Sequence, residues 1–298
     1  MKKQNVVILG AGFIGGHLLR RLAGSSQFRL KVLAHGSAHG WIADHENITV
    51  FQGDVCDRGI LDRIIQKGDV VINLTGQISE SRLDFLLVNL CGVSNLANAC
   101  REKKIKKLIH ISSILVYGDL SYTAKKSFSE TDKPNPTNEY SEVKNFTEKI
   151  LGAFSIESRT KLIILRLANV YGQFGKGIIN KIMDSVSKDA EIALNNVGNL
   201  TRDFIYVDDV ASAIMRAINY ESKQGIEIFN ISNNIGIALS EIFDYLRKKG
   251  KNLKVRYKSA AHSEDLKNIA NNTKARKMLG FKPKIDFLSG MDSLLNQI

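Results

Sequence analysis

A doubly wound parallel α/β sheet with a smaller C-terminal α/β domain is the fold this sequence predicts, on two observations. Short apolar runs alternate with longer amphipathic stretches, and a glycine-rich turn joins the first run to the first stretch. Val6-Val7-Ile8-Leu9 reads as a buried strand, and Gly12–Ala23 follows at helical spacing with Leu18, Leu19 and Leu22. Further apolar runs stand at Leu30–Ala34, Ile48–Phe51, Val70–Leu74, Leu108–Ile111 and Leu162–Leu167. Runs this short, separated by helical segments, suit parallel strands covered on both faces, where neither side of the strand meets water. Beyond about residue 172 the alternation loosens, and helices are expected at Ile178–Ser187, Asp208–Asn219, Ser240–Lys248 and Thr273–Leu279. The division that follows assigns residues 1–172, with about 203–232, to a first domain, and 173–202 with 233–298 to a second.

Composition narrows the class of protein. A chain of 298 residues with 44% hydrophobic and 24% charged residues is globular, neither disordered nor collagen-like. The three cysteines, Cys56, Cys91 and Cys100, form no C-x-x-C pair and cannot make a paired disulfide framework. The apolar runs near the start are too short for a signal peptide or a membrane span, so a cytoplasmic protein is expected. The six histidines are not spaced as a metal site, and no metal is expected. The formal charge of +12 resolves largely into two local runs: residues 101–107 hold five bases and one acid, and residues 247–258 hold seven bases and no acid. Each begins at an expected helix C-terminus, where cations complement the dipole. They read as solvated surface rather than as a footprint for nucleic acid or membrane.

Gly10-Ala11-Gly12-Phe13-Ile14-Gly15 is a G-x-G-x-x-G turn between a strand and a helix. In that setting the first glycine makes the turn, the second lets backbone approach a pyrophosphate, and the third permits close packing. The helix start presents free N–H groups to the anion. A Rossmann-type dinucleotide site lined by Gly10, Gly12, Phe13, Ile14 and Gly15 is therefore expected. An acid about 20 residues further on would grip the ribose of NAD. Ala34 or His35 stands there instead. That substitution leaves room for a 2′-phosphate, with His35 and Ser37 as contacts, and favours NADP(H) over NAD(H).

Tyr140-Ser-Glu-Val-Lys144 places a phenol and an ammonium at i and i+4, on one helix face. A nearby ammonium favours the phenolate, which suits proton exchange with a hydroxyl or ketone oxygen. Ser112-Ser113 follows the run Leu108–Ile111, which puts a hydroxyl at the carboxyl edge of the sheet, where open α/β folds bind ligands.

These motifs together resemble an extended short-chain dehydrogenase/reductase of the epimerase/dehydratase branch, whose members modify nucleotide sugars. The resemblance runs from Val6 to about Leu295 and includes Gly53-Asp54-Val55-Cys56-Asp57, Val71–Gly76, Asn89–Asn95, Leu165–Gly172 and Arg202–Ala211. It implies that Asp54 and Val55 flank the adenine and that Leu74, Thr75 and Asn89 border the cofactor, although Asn89 also suits a helix N-cap. It further implies that Tyr140 is the acid/base, that Ser113 hydrogen-bonds the same substrate oxygen, and that Lys144 holds the nicotinamide ribose. Asn169 and Arg202 would face the diphosphate of the nucleotide sugar, Arg202 otherwise pairing with Asp203 or Asp208. Asp208 and Asp209 are expected to cap a helix, Tyr117 and Tyr171 to form cleft walls, and the cysteines to act as small buried hydrophobes. A homodimer joined through a helix pair is also implied.

Departures from the family pattern narrow the activity. The 4,6-dehydratases of this branch carry an Asp-Glu pair directly after the catalytic hydroxyl residue, and here Ile114 and Leu115 stand there. Without those carboxyl groups the elimination of water has no agents. The expectation is an NAD(P)-dependent reductase of a nucleotide-linked 4-keto-6-deoxyhexose. The alternatives are a nucleotide-sugar 4-epimerase with tightly held NAD, or a non-catalytic cofactor-sensing or nucleic-acid-binding regulator on the same fold.

Overall fold

Each expected apolar run forms a strand in the computed structural model of the chain, which describes residues 3–36, 45–76, 82–195, 200–258 and 267–298. The strands are β1 Gln4–Leu9, β2 Phe28–Ala34, β3 Ile48–Gln52, β4 Val70–Asn73, β5 Lys107–Ser113, β6 Lys161–Leu167, β7 Asn169–Tyr171, β8 Glu191–Asn195, β9 Thr201–Tyr206, β10 Ile226–Ile231, β11 Gly236–Ala238, β12 Lys254–Lys258 and β13 Lys267–Asn268. The helices are α1 Phe13–Leu22, α2 Arg58–Ile64, α3 Arg82–Leu86, α4 Gly92–Lys103, α5 Glu139–Ser158, α6 Ile178–Ser187, α7 Val207–Asn219, α8 Leu239–Lys248, α9 Thr273–Met278 and α10 Phe287–Leu295. No described helix is long and apolar enough to cross a membrane.

Seven strands make one parallel sheet in the order β10-β6-β5-β4-β1-β2-β3. Chain order reverses between β1 and β4, the switch point where open α/β sheets leave a crevice. Val6 to Leu9 of β1 are fully buried, as are Val70 to Ile72 of β4, because helices cover both faces. One face packs Val7, Leu9, Val71 and Leu108 against Leu96, Cys100 and Leu151 of α4 and α5. Strand β3 departs from the expected buried run. It lies at the sheet edge with Thr49 and Val50 exposed, since among the described residues only β2 pairs with it. The seventh strand, β10, is not among the apolar runs picked out from the sequence.

The chain divides into two compact units. The first is Met1–Val116, Pro136–Arg166 and Ala211–Phe229; the second is Tyr117–Asn135, Leu167–Val210 and Asn230–Ile298. Residues 117–135, expected in the first domain, group with the second unit because their contacts lie there. Tyr117 donates from its hydroxyl to Asn230 Oδ1 at 2.8 Å and stacks on Phe128 at 5.1 Å, and Phe128 bridges to Ala270. The second unit is built on β9, flanked by β11, β13 and β7, with a separate parallel pair β8 and β12.

The basic run at residues 101–107 is not all solvated surface. Lys107, only 1% exposed, opens β5 and donates to the carbonyls of Ala217 (3.2 Å), Ile218 (2.9 Å) and Tyr220 (2.5 Å). These oxygens lie in or just beyond the last turn of α7, where a helix leaves its carbonyls without N–H partners. Burial pushes the lysine down to about 8. Lys107→Met should cost about 2–3 kcal/mol in denaturant unfolding, because buried acceptors lose a charged donor.

Candidate active site

The glycine turn fits a dinucleotide pyrophosphate on local geometry. Gly10 has φ +103°, and a Cβ on Gly15 would lie 2.1 Å from the Gly10 carbonyl oxygen, so a larger residue at Gly15 cannot be accommodated. A Cβ on Gly12 would meet nothing within 4 Å. Helix α1 begins there with no side-chain cap and no acid in its first turn, which leaves its amides and positive dipole end to an anion. Phe13 packs edge-on against His17 at 5.7 Å, and both Phe13 and Ile14 are half-buried at the helix start. The Leu74 backbone lies 3.2 Å from the Cβ position of Gly10, and Leu74 N donates to Leu9 O at 2.9 Å, so the ends of β1 and β4 close on each other.

At the end of β2, His35 Nδ1 lies 3.3 Å from Asp54 Oδ2, while Asp54 Oδ1 accepts from Cys56 N at 2.7 Å. The two residues that sequence reading treated separately thus meet. Ser37 lies outside the described residues. Val55 is buried against Gly92, at whose position a Cβ would be 2.6 Å from Val55 Cγ1. Asn89 is not a helix N-cap: it sits in a π-helical turn, Leu87–Cys91, and its Nδ2 donates to Phe85 O at 2.8 Å. The cysteines are not uniformly buried, since Cys91 is exposed and Cys56 intermediate.

Ser113 ends β5, while Tyr140 and Lys144 lie on α5, which starts from a capping box of Asn138 and Ser141. Lys144 Nζ is 5.9 Å from the centre of the Tyr140 ring and donates to Ile111 O at 3.3 Å. Burial pushes the Tyr140 phenol up to about 12, with the Ser113 hydrogen bond pulling it down. Burial pushes Lys144 down to about 8, opposed by the charge of Glu148. Proximity alone would have the ammonium lower the phenol; here desolvation raises it, and the group that opposes the rise is Ser113.

Three groups that sequence reading missed complete this neighbourhood. A Cβ on Gly76 would lie 2.8 Å from Lys144 Nζ and 3.3 Å from Asn89 Oδ1, so this glycine makes room for both. His110 is fully buried and its imidazole is held well below the usual histidine range, by burial first and then by Lys144. Its tautomer follows from its partners. Thr147 Oγ1 donates to Lys144 O (2.8 Å), so it accepts from His110 Nε2–H (3.4 Å). Asn73 Nδ2 then donates to Nδ1 (3.2 Å), and Asn73 Oδ1 accepts from Thr75 N (3.1 Å) and Thr75 Oγ1 (2.5 Å). One neutral ring thereby ties the Thr75 turn to the helix that carries Lys144. The third group is Glu148, one turn beyond Lys144.

Asn169 and Arg202 belong to the second unit. Asn169 Nδ2 donates to Asp203 O at 3.0 Å. Arg202 does not pair with Asp203, whose carboxylate accepts from Asn233 N (3.0 Å) and Asn234 N (2.9 Å). Burial pushes Asp203 up to about 7, and these amides pull it back. Burial lowers Arg202, and the carboxylate that opposes this is Asp119. Asp209 does not simply cap α7: it accepts from Lys284 N and Ile285 N. Tyr117 and Tyr171 are core residues rather than cleft walls, being 2% and 1% exposed. A cavity of about 600 Å³ in this unit, lined by Phe204, Ile235, Tyr245, Lys248, Ile285 and Leu288, includes neither Asn169 nor Arg202.

Two outcomes test this geometry. Gly76→Ala should displace the Lys144 ammonium and weaken NAD⁺ binding about tenfold in calorimetry, the size of loss that misplacing one charged hydrogen bond produces. His110 stays neutral when folded but takes a proton when unfolded, so the unfolded state binds more protons below about pH 6.5 and stability falls as pH falls. This group should contribute a slope of up to about 1.4 kcal/mol per pH unit below that value. In unfolding titrations His110→Phe should flatten that slope.

The sequence profile of the NAD dependent epimerase/dehydratase family matches residues 6–232. The dTDP-L-rhamnose 4-epimerase of Burkholderia thailandensis is 28% identical, over 80% of this chain and 79% of that one. The human dTDP-D-glucose 4,6-dehydratase is 26% identical, over 97% of this chain and 88% of that one. Among solved structures, the UDP-glucose 4-epimerase of Thermotoga maritima with UDP-glucose superposes with a TM-score of 0.85 at 25% identity, covering 98% of each chain. The glycine turn, the Ser113–Tyr140–Lys144 group and a profile match across most of the sequence agree: the chain belongs to the NAD-dependent epimerase/dehydratase family of nucleotide-sugar enzymes, within the extended short-chain dehydrogenase/reductases.

Proposed function

We propose that this protein is a nucleotide-diphosphate-sugar 4-epimerase that keeps NAD⁺ bound through its cycle. The observation that carries the reading is an acid–base group with no carboxyl group at the two positions after Ser113. Ser113 is followed by Ile114, 1% exposed, and Leu115, so the elimination chemistry of the dehydratases has no acid or base here. A hydride that leaves C4 and returns to its other face needs only one group to take and return the hydroxyl proton. The likeness to the rhamnose 4-epimerase over four-fifths of the chain points the same way.

NAD⁺, when bound, supplies the hydride acceptor and a positive charge. In this reading Gly10, Gly12, Phe13, Ile14 and Gly15 hold its pyrophosphate, His35, Asp54 and Val55 its adenosine end, and Leu74, Thr75 and Asn89 border its nicotinamide end. Lys144 donates to the ribose hydroxyls. Tyr140, in its phenolate form once the positive charge of bound NAD⁺ favours it, would accept the O4 proton as C4 is oxidised and give it back when C4 is reduced, while Ser113 donates to the same oxygen. Asn169 and Arg202 bind the substrate diphosphate, where a guanidinium offers paired donors.

A second reading keeps the same residues but makes the protein an NADP(H)-dependent reductase of a nucleotide-linked 4-keto-6-deoxyhexose. It is favoured by the missing acid at Ala34 and His35 at the end of β2. The cofactor separates the two. Denatured protein should release an equimolar amount of NAD⁺, and UDP-, dTDP-, GDP- and CDP-hexoses should include one that is interconverted with its C4 epimer without net nicotinamide consumption. Protein that purifies empty and consumes NADPH with a 4-keto sugar would overturn the epimerase reading. Tyr140→Phe should retain its NAD⁺ and lose about a thousandfold in turnover, within the range of acid–base catalysis.

A further inference from the structure

We propose that Glu148 is a positioning residue for the catalytic helix, joining α5 to the two strands beside it so that Tyr140 and Lys144 meet Ser113. This rests on the assignment of Tyr140 and Lys144 as the acid–base pair. Tyr140, Lys144 and Glu148 recur at i, i+4 and i+8, one face of α5. At the third position the carboxylate is 7% exposed and every bond it makes crosses to another element. Ser112 Oγ of β5 donates to Glu148 Oε1 at 2.5 Å, Arg166 Nε of β6 donates to the same oxygen at 3.0 Å, and Arg166 Nη2 donates to Oε2 at 2.6 Å. Ser112 is the residue before Ser113. A fork of two parallel N–H donors fixes the plane of the carboxylate as well as its distance, so the helix face is pinned against rotation and sliding one turn from Lys144. The geometry thus sets the reach of Tyr140 to Ser113 from behind, without Glu148 touching a substrate.

The same carboxylate is the negative charge that supports the Lys144 ammonium against burial. The other groups facing that ammonium are Tyr140 on its own helix, His110 and the Ile111 carbonyl on β5, and Asn89 of the π turn. Arg166 of β6 stands behind Glu148. Of these, the neutral imidazole and the amide carry no charge, and the guanidinium charge is paired with Glu148 through Nε and Nη2. Removal of the carboxylate leaves two cations, Lys144 and Arg166, in one buried neighbourhood.

The test uses the full chain with NAD⁺ added and reads Lys144 by carbon NMR of its ε-methylene, assigned as the lysine signal lost in Lys144→Met. Glu148→Gln should move that titration down by about one pH unit, as loss of a close opposite charge does. It should also lower kcat about tenfold with KM unchanged, whereas Glu148→Asp recovers most of both. The pair Glu148→Gln with Arg166→Met leaves no orphaned cation and serves if the single variant does not fold; its Lys144 midpoint should still be lowered. An unchanged midpoint in a folded variant, with only the thermal midpoint reduced, would overturn the proposal and leave Glu148 a structural ion pair. The NMR reading needs no sugar substrate. Wild type that is inert on UDP-glucose and the other hexoses would therefore count against the epimerase reading while the titration still decides this one.

Discussion

The parallel direction of the strands is the constraint on which the first unit depends. Because β1, β4 and β5 run the same way, Gly10, Leu74 and Ser113 leave the sheet from one edge, though they are far apart in sequence. Parallel strands need crossovers, and the crossovers supply the helices whose starts and faces meet that edge. The start of α1 offers its amides there, and α5 brings a phenol and an ammonium. A sheet with alternating strand directions would scatter these groups to opposite ends.

Burial then works on the two titratable groups in opposite senses. It holds the Tyr140 phenol protonated and weakens the Lys144 ammonium, so the surroundings that the chain itself supplies disfavour the charged pair that proton transfer needs. Glu148 and Ser113 oppose this from either side, one supporting the cation and the other the phenolate. The chain resists forming charge until a ligand brings charge of its own. That resistance suits a site in which proton transfer should occur only with reactants in place.

The parts of the site that were legible in sequence are those whose chemistry is local. The glycine turn is six consecutive residues, and Tyr140 with Lys144 is one helical turn. Ser113 sits at a strand end that hydropathy alone locates. What stayed hidden depends on pairs distant in the chain. Gly76 looks like any loop glycine until Lys144 and Asn89 are seen beside it, and His110 meets Asn73 only because β4 and β5 are neighbours. Glu148 and Arg166 give no sign of their pairing in sequence, since it forms only where α5 packs on β6. Arg202 shows the same limit: the acids named as its alternative partners, Asp203 and Asp208, are near it in sequence, whereas Asp119 is the one whose charge it feels. Tyr117 and Tyr171 carry polar tips that suggest a cleft, yet each finds a buried acceptor, Asn230 Oδ1 and Phe287 O.

The ammonium at the start of β5 has a consequence at its other end. Helix ends ordinarily fray, since their last carbonyls are held only by water. Here the final turn of α7 and the first rung of β5 share one donor, so neither can open by itself. Local opening of the strand that carries Ser113 must therefore take the end of α7 with it, which raises such an event from a small fluctuation to a cooperative one. The rigidity of the reacting edge is thereby supported from the edge opposite.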